Sequence, residues 1–199
     1  MDKFTKALQL IDAAHAEDPN TITPPSSTTP VPYELHYANK MTKYLTQRDP
    51  AASELLRLAI RAQHLRRWEV PRASFPATKA GYHAWRAHLQ KRQAELVEGM
   101  CVAAGYTAAE AGRVGALVRK EGLRGGSDPE TQVLEDVACL VFLDDQFEGF
   151  EAEKQYEEEK VLGILRKTWA KMSEPGRELA LGIEMSERAR GLVEKALQG

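Results

Sequence analysis

Two histidines and one aspartate are the residues of this chain whose types could do chemistry. His36 lies in ELHYANKM, His64 in AIRAQHLRRWEVPR, and Asp136 among apolar residues in LEDVACLVFL. Imidazole and carboxylate groups bind divalent metal ions and transfer protons. The residues alone make His64 and Asp136 candidates for a role in catalysis.

The segment around His64 is strongly basic. Residues 57–92 contain nine lysines and arginines and a single acid, Glu69. Six basic residues are expected near one corner of the molecule: Arg61, Arg66, Arg67, Arg72, Lys79 and Arg86. Arginine forms bidentate hydrogen bonds with phosphate and carboxylate groups. We predict that three of them bind the phosphate of a small-molecule substrate: Arg61, Arg67 and Arg72.

The same residues also have ordinary structural interpretations. A histidine near a helix C-terminus can be half-exposed, with its charged form mildly favoured by the helix dipole. A buried aspartate such as Asp136 can simply pair with an arginine. Residues 127–160 contain twelve acids and two lysines, so the basic segment could also pair with them across helices. The residues alone leave these alternatives open.

Composition limits the classes of partner. The chain has 199 residues and a net charge of −2. Nucleic-acid binding is therefore not expected, because it normally accompanies a net basic domain and a groove-entering motif. Cys101 and Cys139 lie in apolar helical patterns and are predicted to be core thiols. No signal sequence or membrane-length apolar run is present, so we predict a cytoplasmic location and no membrane partner. Oligomeric state cannot be inferred.

Helical spacing of apolar residues continues through nearly the whole chain, which predicts an all-α fold. Residues 1–17 are predicted to form an N-terminal helix, and residues 18–32, with five of the ten prolines, a surface linker. Residues 33–199 are predicted to be a helical domain, and the chain as a whole is predicted to form one compact domain of about seven to eight helices. Three helix starts are indicated by Asp49-Pro50, by Thr107 with Glu110, and by Ser127 or Asp128 ahead of Pro129.

The third and sixth predicted helices are the richest in core residues. The third is predicted to extend from Asp49-Pro50 to about Trp68. His64 and Asp136 both lie beside the main apolar stripe of their helices. We therefore expect the two helices to meet and to bring these side chains into contact.

The order of these residues resembles the HD-domain phosphohydrolases. That resemblance implies a metal-dependent, all-helical hydrolase of nucleotide phosphate esters, whose bound ion lowers the pKa of a water molecule. His36, His64 and Asp136 match positions of the family motif, so the resemblance implies that these three residues bind a divalent metal and that His64 and Asp136 are catalytic. The motif also requires an aspartate directly after the second histidine, where this chain has Leu65. Three other acids could supply the missing ligand: Glu54, Asp144 and Asp145.

Longer stretches are similar to an uncharacterised bacterial and fungal family known only as a domain of unknown function. They are ALQLIDAAHAEDPN, RAQHLRRWEVPR, GYHAWR, RVGALVRKEGL, DPETQVLEDVACLVFL and ILRKTWAKMS. Members commonly have histidine where this chain has Gln93. Leu65 and Gln93 favour an alternative function, a non-catalytic relative that binds a ligand or a protein partner.

Some members of that family are labelled glutamyl-tRNA synthetase. Lys171-Met172-Ser173 is similar to a signature of those enzymes. No nucleotide-binding α/β domain or second synthetase motif accompanies it. We therefore predict that Ser173 is the N-cap residue of a helix that continues through Pro175.

Overall fold

The computed structural model describes residues 1–24, 27–147 and 157–198. Within these residues, nine α-helices form almost all of the regular structure. They are α1 Lys3–His15, α2 Tyr33–Arg48, α3 Glu54–Arg61, α4 Lys79–Ala104, α5 Ala108–Val118, α6 Pro129–Val141, α7 Glu158–Lys171, α8 Glu174–Leu181 and α9 Glu187–Gln198. The predicted all-α class and single compact domain are confirmed.

The segment between α1 and α2 is attached to the body of the protein. Its strands β1, Thr21–Ile22, and β2, Val31–Pro32, pair in an antiparallel ribbon. Asp18 is buried and accepts the backbone N–H of Glu34 at 3.0 Å. Residues 25 and 26 of the predicted linker lie outside the described residues. The helix α1 also contributes Ala7 and Ile11 to the common core.

Most helix starts follow the side-chain capping expected from the sequence. Thr107 and Glu110 form a reciprocal capping box at α5. Asp128 caps α6 ahead of Pro129, and Ser173 accepts the backbone N–H of Gly176 at the start of α8. An N-cap oxygen stabilises a helix by about 1 kcal/mol, because it pairs an amide that has no partner within the helix.

The third helix is shorter than predicted. It begins at Glu54, where Ser53 is the N-cap, rather than at Asp49-Pro50, and it ends at Arg61. A turn of residues 62–68, called here the His64 turn, follows it. The apolar pattern continues past the helix because Ala62 and Leu65 are fully buried within this turn. Periodicity reports burial, so it could not show where the helix stops.

The helix α6 packs along α2 and continues into a π-helical turn, Phe142–Gln146. Side chains near the start of α2 meet those at the end of this extension, since His36 contacts Asp145. At the other end of α2, Arg48 contacts Asp136. The two helices therefore run in opposite directions, and α6 supplies carboxylates to both ends of α2.

Both cysteines are buried and free. Burial raises the pKa of the Cys139 thiol to about 12 and that of Cys101 to about 11. Both thiols are therefore protonated near neutral pH, as expected for core residues. Among the helices described, none is long and apolar enough to cross a membrane.

Candidate functional site

His64 lies in the middle of the turn that follows α3, not on a helix. Its Nε2 atom accepts a hydrogen bond from Arg67 Nη1 at 3.0 Å. Its ring stacks on Tyr37 of α2, with centroids 4.0 Å apart and planes 13° from parallel. Burial lowers the pKa of His64 well below its usual 6.5, and the charges of Arg67 and Arg86 lower it further. His64 is therefore a neutral ring among cations.

The backbone of the His64 turn is strained. His64 has a φ of 64° and Arg66 a φ of 51°, and neither is glycine. Left-handed conformations of this kind are unfavourable for residues with a Cβ atom and persist only where surrounding contacts hold them. The strain places His64 and Arg67 on one side of the turn, close enough to hydrogen bond.

Arg67 is the central cation of this region. Its guanidinium lies 4.7 Å from the ring centroid of Trp85, on α4, in a cation–π contact. Burial lowers the pKa of Arg67, and the nearby charge of Arg86 lowers it further. In the part of the chain that the structure describes, no carboxylate forms an ion pair with Arg67.

Arg86 is the second cation, one residue after Trp85 on α4. It is half-buried and forms neither a hydrogen bond nor an ion pair with any residue in the described ranges. Seven other arginines do pair with carboxylates: Arg48, Arg61, Arg66, Arg92, Arg113, Arg119 and Arg166. Arg67 and Arg86 therefore form an electropositive site, called here the anion site.

The other two arginines predicted to bind substrate have partners within the protein. Arg61 donates to Asp12 Oδ1 at 2.6 Å and to Asn39 Oδ1 at 2.8 Å. Arg72 donates to the backbone carbonyls of Phe75 at 2.8 Å and Pro76 at 2.7 Å. These bonds occupy their guanidinium groups, so Arg67 is the member of the predicted trio that is available to a ligand.

His36 lies beside the anion site, in the first turns of α2. Its Nε2 atom is 2.6 Å from Asp145 Oδ1, which lies in the π-helical turn. Tyr33 Oη is 3.4 Å from the same carboxylate and accepts a hydrogen bond from Gln146 at 2.9 Å. The charge of Arg67 affects the pKa of Tyr33, so the histidine–aspartate pair and the anion site are neighbours.

Asp136 belongs to a different part of the molecule. Its side chain is fully buried and accepts hydrogen bonds from Arg48 Nε at 2.8 Å and from the backbone N–H of Ser173 at 2.8 Å. Ser173 Oγ and Gln132 Nε2 also donate to it, at 2.5 and 3.0 Å. These four bonds join α2 and α6 to the start of α8. Asp136 therefore has a structural role, and in the described chain it forms no hydrogen bond with His64.

This position of Asp136 separates it from His36, although both were predicted to bind one metal ion. His36 and Arg48, the residues of α2 that meet Asp145 and Asp136, are twelve positions apart, about 18 Å along a helix. Metal ligands lie about 2 Å from a shared ion, so His36 and Asp136 cannot bind the same one. In residues 1–24, 27–147 and 157–198, no group of three His, Cys, Asp or Glu side chains could hold a metal ion. These residues do not fit an HD-type metal centre.

Sequence reasoning placed Arg86 in the basic cluster but could not separate paired from unpaired arginines. Asp145 was noted only as a possible replacement for a missing ligand. Its signal is the run Asp144-Asp145 next to core phenylalanines, since acids beside a core usually have partners. Tyr37 had no chemical signal, because a buried tyrosine at helical spacing is indistinguishable from an ordinary core residue.

A family model described as a domain of unknown function, DUF4202, matches residues 5–193. The chain belongs to the DUF4202 family. The matched range contains both residues of the anion site and the pair of His36 with Asp145. No curated protein and no solved structure matches the chain. The description of DUF4202 states no activity, so function is inferred from the geometry.

Proposed function

We propose that this DUF4202 protein binds a phosphorylated small molecule at the anion site. The observation that supports this most directly is a pair of half-buried guanidinium groups, Arg67 and Arg86, without a carboxylate partner in the described chain. A buried charge without a counterion is costly. A bound anion removes that cost, and a phosphate monoester has the charge to match two guanidinium groups.

The immediate surroundings favour an anion over other ligands. Burial lowers the pKa of His64, and the charges of Arg67 and Arg86, which have no carboxylate partner in the described chain, lower it further. Two such cations beside one neutral ring attract anions and repel metal cations. Planar guanidinium groups also bind phosphate oxygens in a bidentate manner.

Calorimetric titration with inorganic phosphate and with phenyl phosphate tests the proposal. We expect saturable binding by the wild-type protein. Arg67→Gln and Arg86→Gln should each weaken it at least tenfold, about 1.4 kcal/mol. Arg61→Gln and Arg72→Gln should lower the thermal unfolding temperature while keeping affinity within about twofold, because their hydrogen bonds are internal.

Arg119→Gln is the control for a lost surface charge, since Arg119 pairs with Glu98 and Glu121. Absence of phosphate binding by folded wild-type protein contradicts the proposal. So does a pattern in which Arg61→Gln and Arg72→Gln lose affinity while Arg67→Gln keeps it. Arg61 and Arg72 would then be the residues that bind phosphate.

A phosphohydrolase, related to the HD-domain enzymes, is the second candidate. The specific observation in its favour is the 2.6 Å contact of His36 with Asp145, since a carboxylate that orients a histidine is typical of general-base pairs. His36 would take a proton from a water molecule as the water oxygen attacks phosphorus and the ester P–O bond breaks. The leaving oxygen keeps the electron pair of that bond and departs as an anion, as p-nitrophenolate does. Turnover of p-nitrophenyl phosphate that His36→Gln abolishes, with phosphate affinity retained, would support it. No turnover by the wild type leaves a binding protein.

A further inference from the structure

A buried ion pair lies beneath the His64 turn. His15, at the end of α1, is fully buried, and Glu34, in the first turn of α2, keeps 3% of its surface exposed. His15 Nδ1 lies 3.2 Å from Glu34 Oε2. An ion pair at this depth is stable only when further hydrogen bonds occupy its remaining donors and acceptors.

The remaining acceptor capacity of Glu34 is used by the backbone of the His64 turn. Oε2 accepts the N–H of Arg66 at 2.9 Å, and Oε1 accepts the N–H of Trp68 at 3.2 Å. These amides lie on either side of Arg67. Arg66 is one of the two residues of this turn with a strained positive φ. Charge-assisted bonds from one carboxylate therefore hold the strained backbone that presents Arg67.

His15 in turn fixes the position of Glu34. Its second ring nitrogen, Nε2, lies 2.9 Å from the carbonyl oxygen of Arg61, the last residue of α3. A carbonyl and an ionised carboxylate only accept hydrogen bonds, so both ring nitrogens of His15 must donate. With Glu34 ionised, the geometry calls for an imidazolium ion at His15.

We propose that His15 and Glu34 are positioning residues for the anion site. Together they hold the His64 turn in its strained conformation, so that Arg67 faces a bound phosphate with Arg86. This role rests on the proposed function. It makes the N-terminal helix α1 part of the phosphate-binding apparatus, because His15 bonds to Glu34, which holds the turn, and to the carbonyl of Arg61, just before the turn.

Glu34→Gln is the first test, with inorganic phosphate as the probe. Glutamine has the same size as glutamate, but an NH₂ group replaces one acceptor oxygen. One of the bonds that Glu34 accepts, from a backbone N–H or from the imidazolium, is therefore lost. We expect the dissociation constant for phosphate to rise at least tenfold. The matched control is Glu17→Gln. Glu17 also contacts Arg66, but at its side chain, Nη2, at 2.6 Å, and on the surface. The phosphate affinity of Glu17→Gln should stay within about twofold of the wild-type value.

Amide hydrogen exchange and histidine ¹⁵N NMR of the wild type are the second test and need no variant. The amides of Arg66 and Trp68 should exchange much more slowly than those of Ala73 and Ala77 in the exposed loop that follows. Both ring nitrogens of His15 should be protonated.

Fast exchange at Arg66 and Trp68, or one unprotonated nitrogen in His15, overturns the positioning role even if Glu34→Gln does not fold. A folded Glu34→Gln that binds phosphate like the wild type overturns it too, and leaves the proposed function intact. A wild-type protein with slow exchange at these amides but no phosphate binding overturns the proposed function itself.

Discussion

At the scale of single residues, the surroundings of His64 fix its protonation state. The ring accepts a hydrogen bond from Arg67 and stacks on Tyr37, so Nε2 has no proton of its own. Burial and neighbouring cations lower the pKa of His64 well below 6.5. The same ring in an unfolded chain titrates near its usual value. Folding therefore discourages proton uptake at this position.

This difference predicts a specific acid sensitivity. Between the two pKa values the unfolded state binds more protons, so stability falls as pH drops below about 6.5. In His64→Gln we expect urea melts at pH 7 and pH 5 to differ less than in the wild type. His88→Gln is the control, because His88 is exposed. An unchanged difference in His64→Gln would show that His64 is accessible to protons in the folded state.

At the scale of elements, α6 connects the site to the structural core. The middle of α6 contributes Asp136 to the junction of α2 and α8, and the π-helical extension contributes Asp145, which contacts His36. A π-helical turn shifts the register of a helix and is frequent near functional sites. Two acids nine positions apart on one element thus have different roles, one in folding and one beside the anion site.

Asp136→Asn tests this division. Asparagine cannot accept the bonds from Arg48 and from both donors of Ser173 as a carboxylate does, and it leaves the charge of Arg48 without its partner. We expect the free energy of unfolding in urea to fall by about 3 kcal/mol. Phosphate affinity of the folded variant should remain within about twofold.

Glu159→Gln provides the comparison, because its pair with Arg166 is exposed and should contribute less than about 0.5 kcal/mol. Phosphate affinity that falls tenfold in folded Asp136→Asn would return Asp136 to the site, where the sequence had placed it.

At the scale of the whole molecule, the basic and acidic segments do not pair with each other among the residues that the structure describes. In the described chain, arginines of residues 57–92 pair with Asp12, Glu17 and Glu69. Acids of residues 127–160 pair with bases outside that segment: His36, Lys40, Arg48, Arg113, Lys120, Arg166, Lys171 and Lys195. Because the two segments do not pair, Arg67 and Arg86 have no carboxylate partner in the described ranges. Their positive charges make the electrostatic potential of the anion site positive.

This charge distribution predicts metal-independent, salt-sensitive phosphate binding. Treatment with EDTA should change the dissociation constant by less than about twofold, since the ligand would be bound by guanidinium groups. Raising NaCl from 0.05 to 0.5 M should weaken binding several-fold, because screening shortens the Debye length from about 14 to about 4 Å. Calorimetric titration with phosphate, with and without EDTA and at both NaCl concentrations, measures these dissociation constants. Loss of binding in EDTA that added Mn²⁺ or Mg²⁺ restores would instead indicate a metal-dependent site.

The sequence by itself determined the all-α class, most helix starts and the family. These depend on local physics: apolar spacing of a helix, and capping side chains such as Thr107 and Ser173 that act within one turn. It also located the basic cluster, because net charge in a segment needs no knowledge of packing.

Only the tertiary structure decided which of these residues act together. The partners of His36 and Asp136 are 109 and 88 positions away in the chain, and no local pattern encodes such pairings. The end of α3 and the positive φ of His64 are likewise set by contacts with Glu34 and Tyr37 from another helix. Whether an arginine is available to a ligand depends on which carboxylates packing brings beside it, and packing is a property of the whole fold.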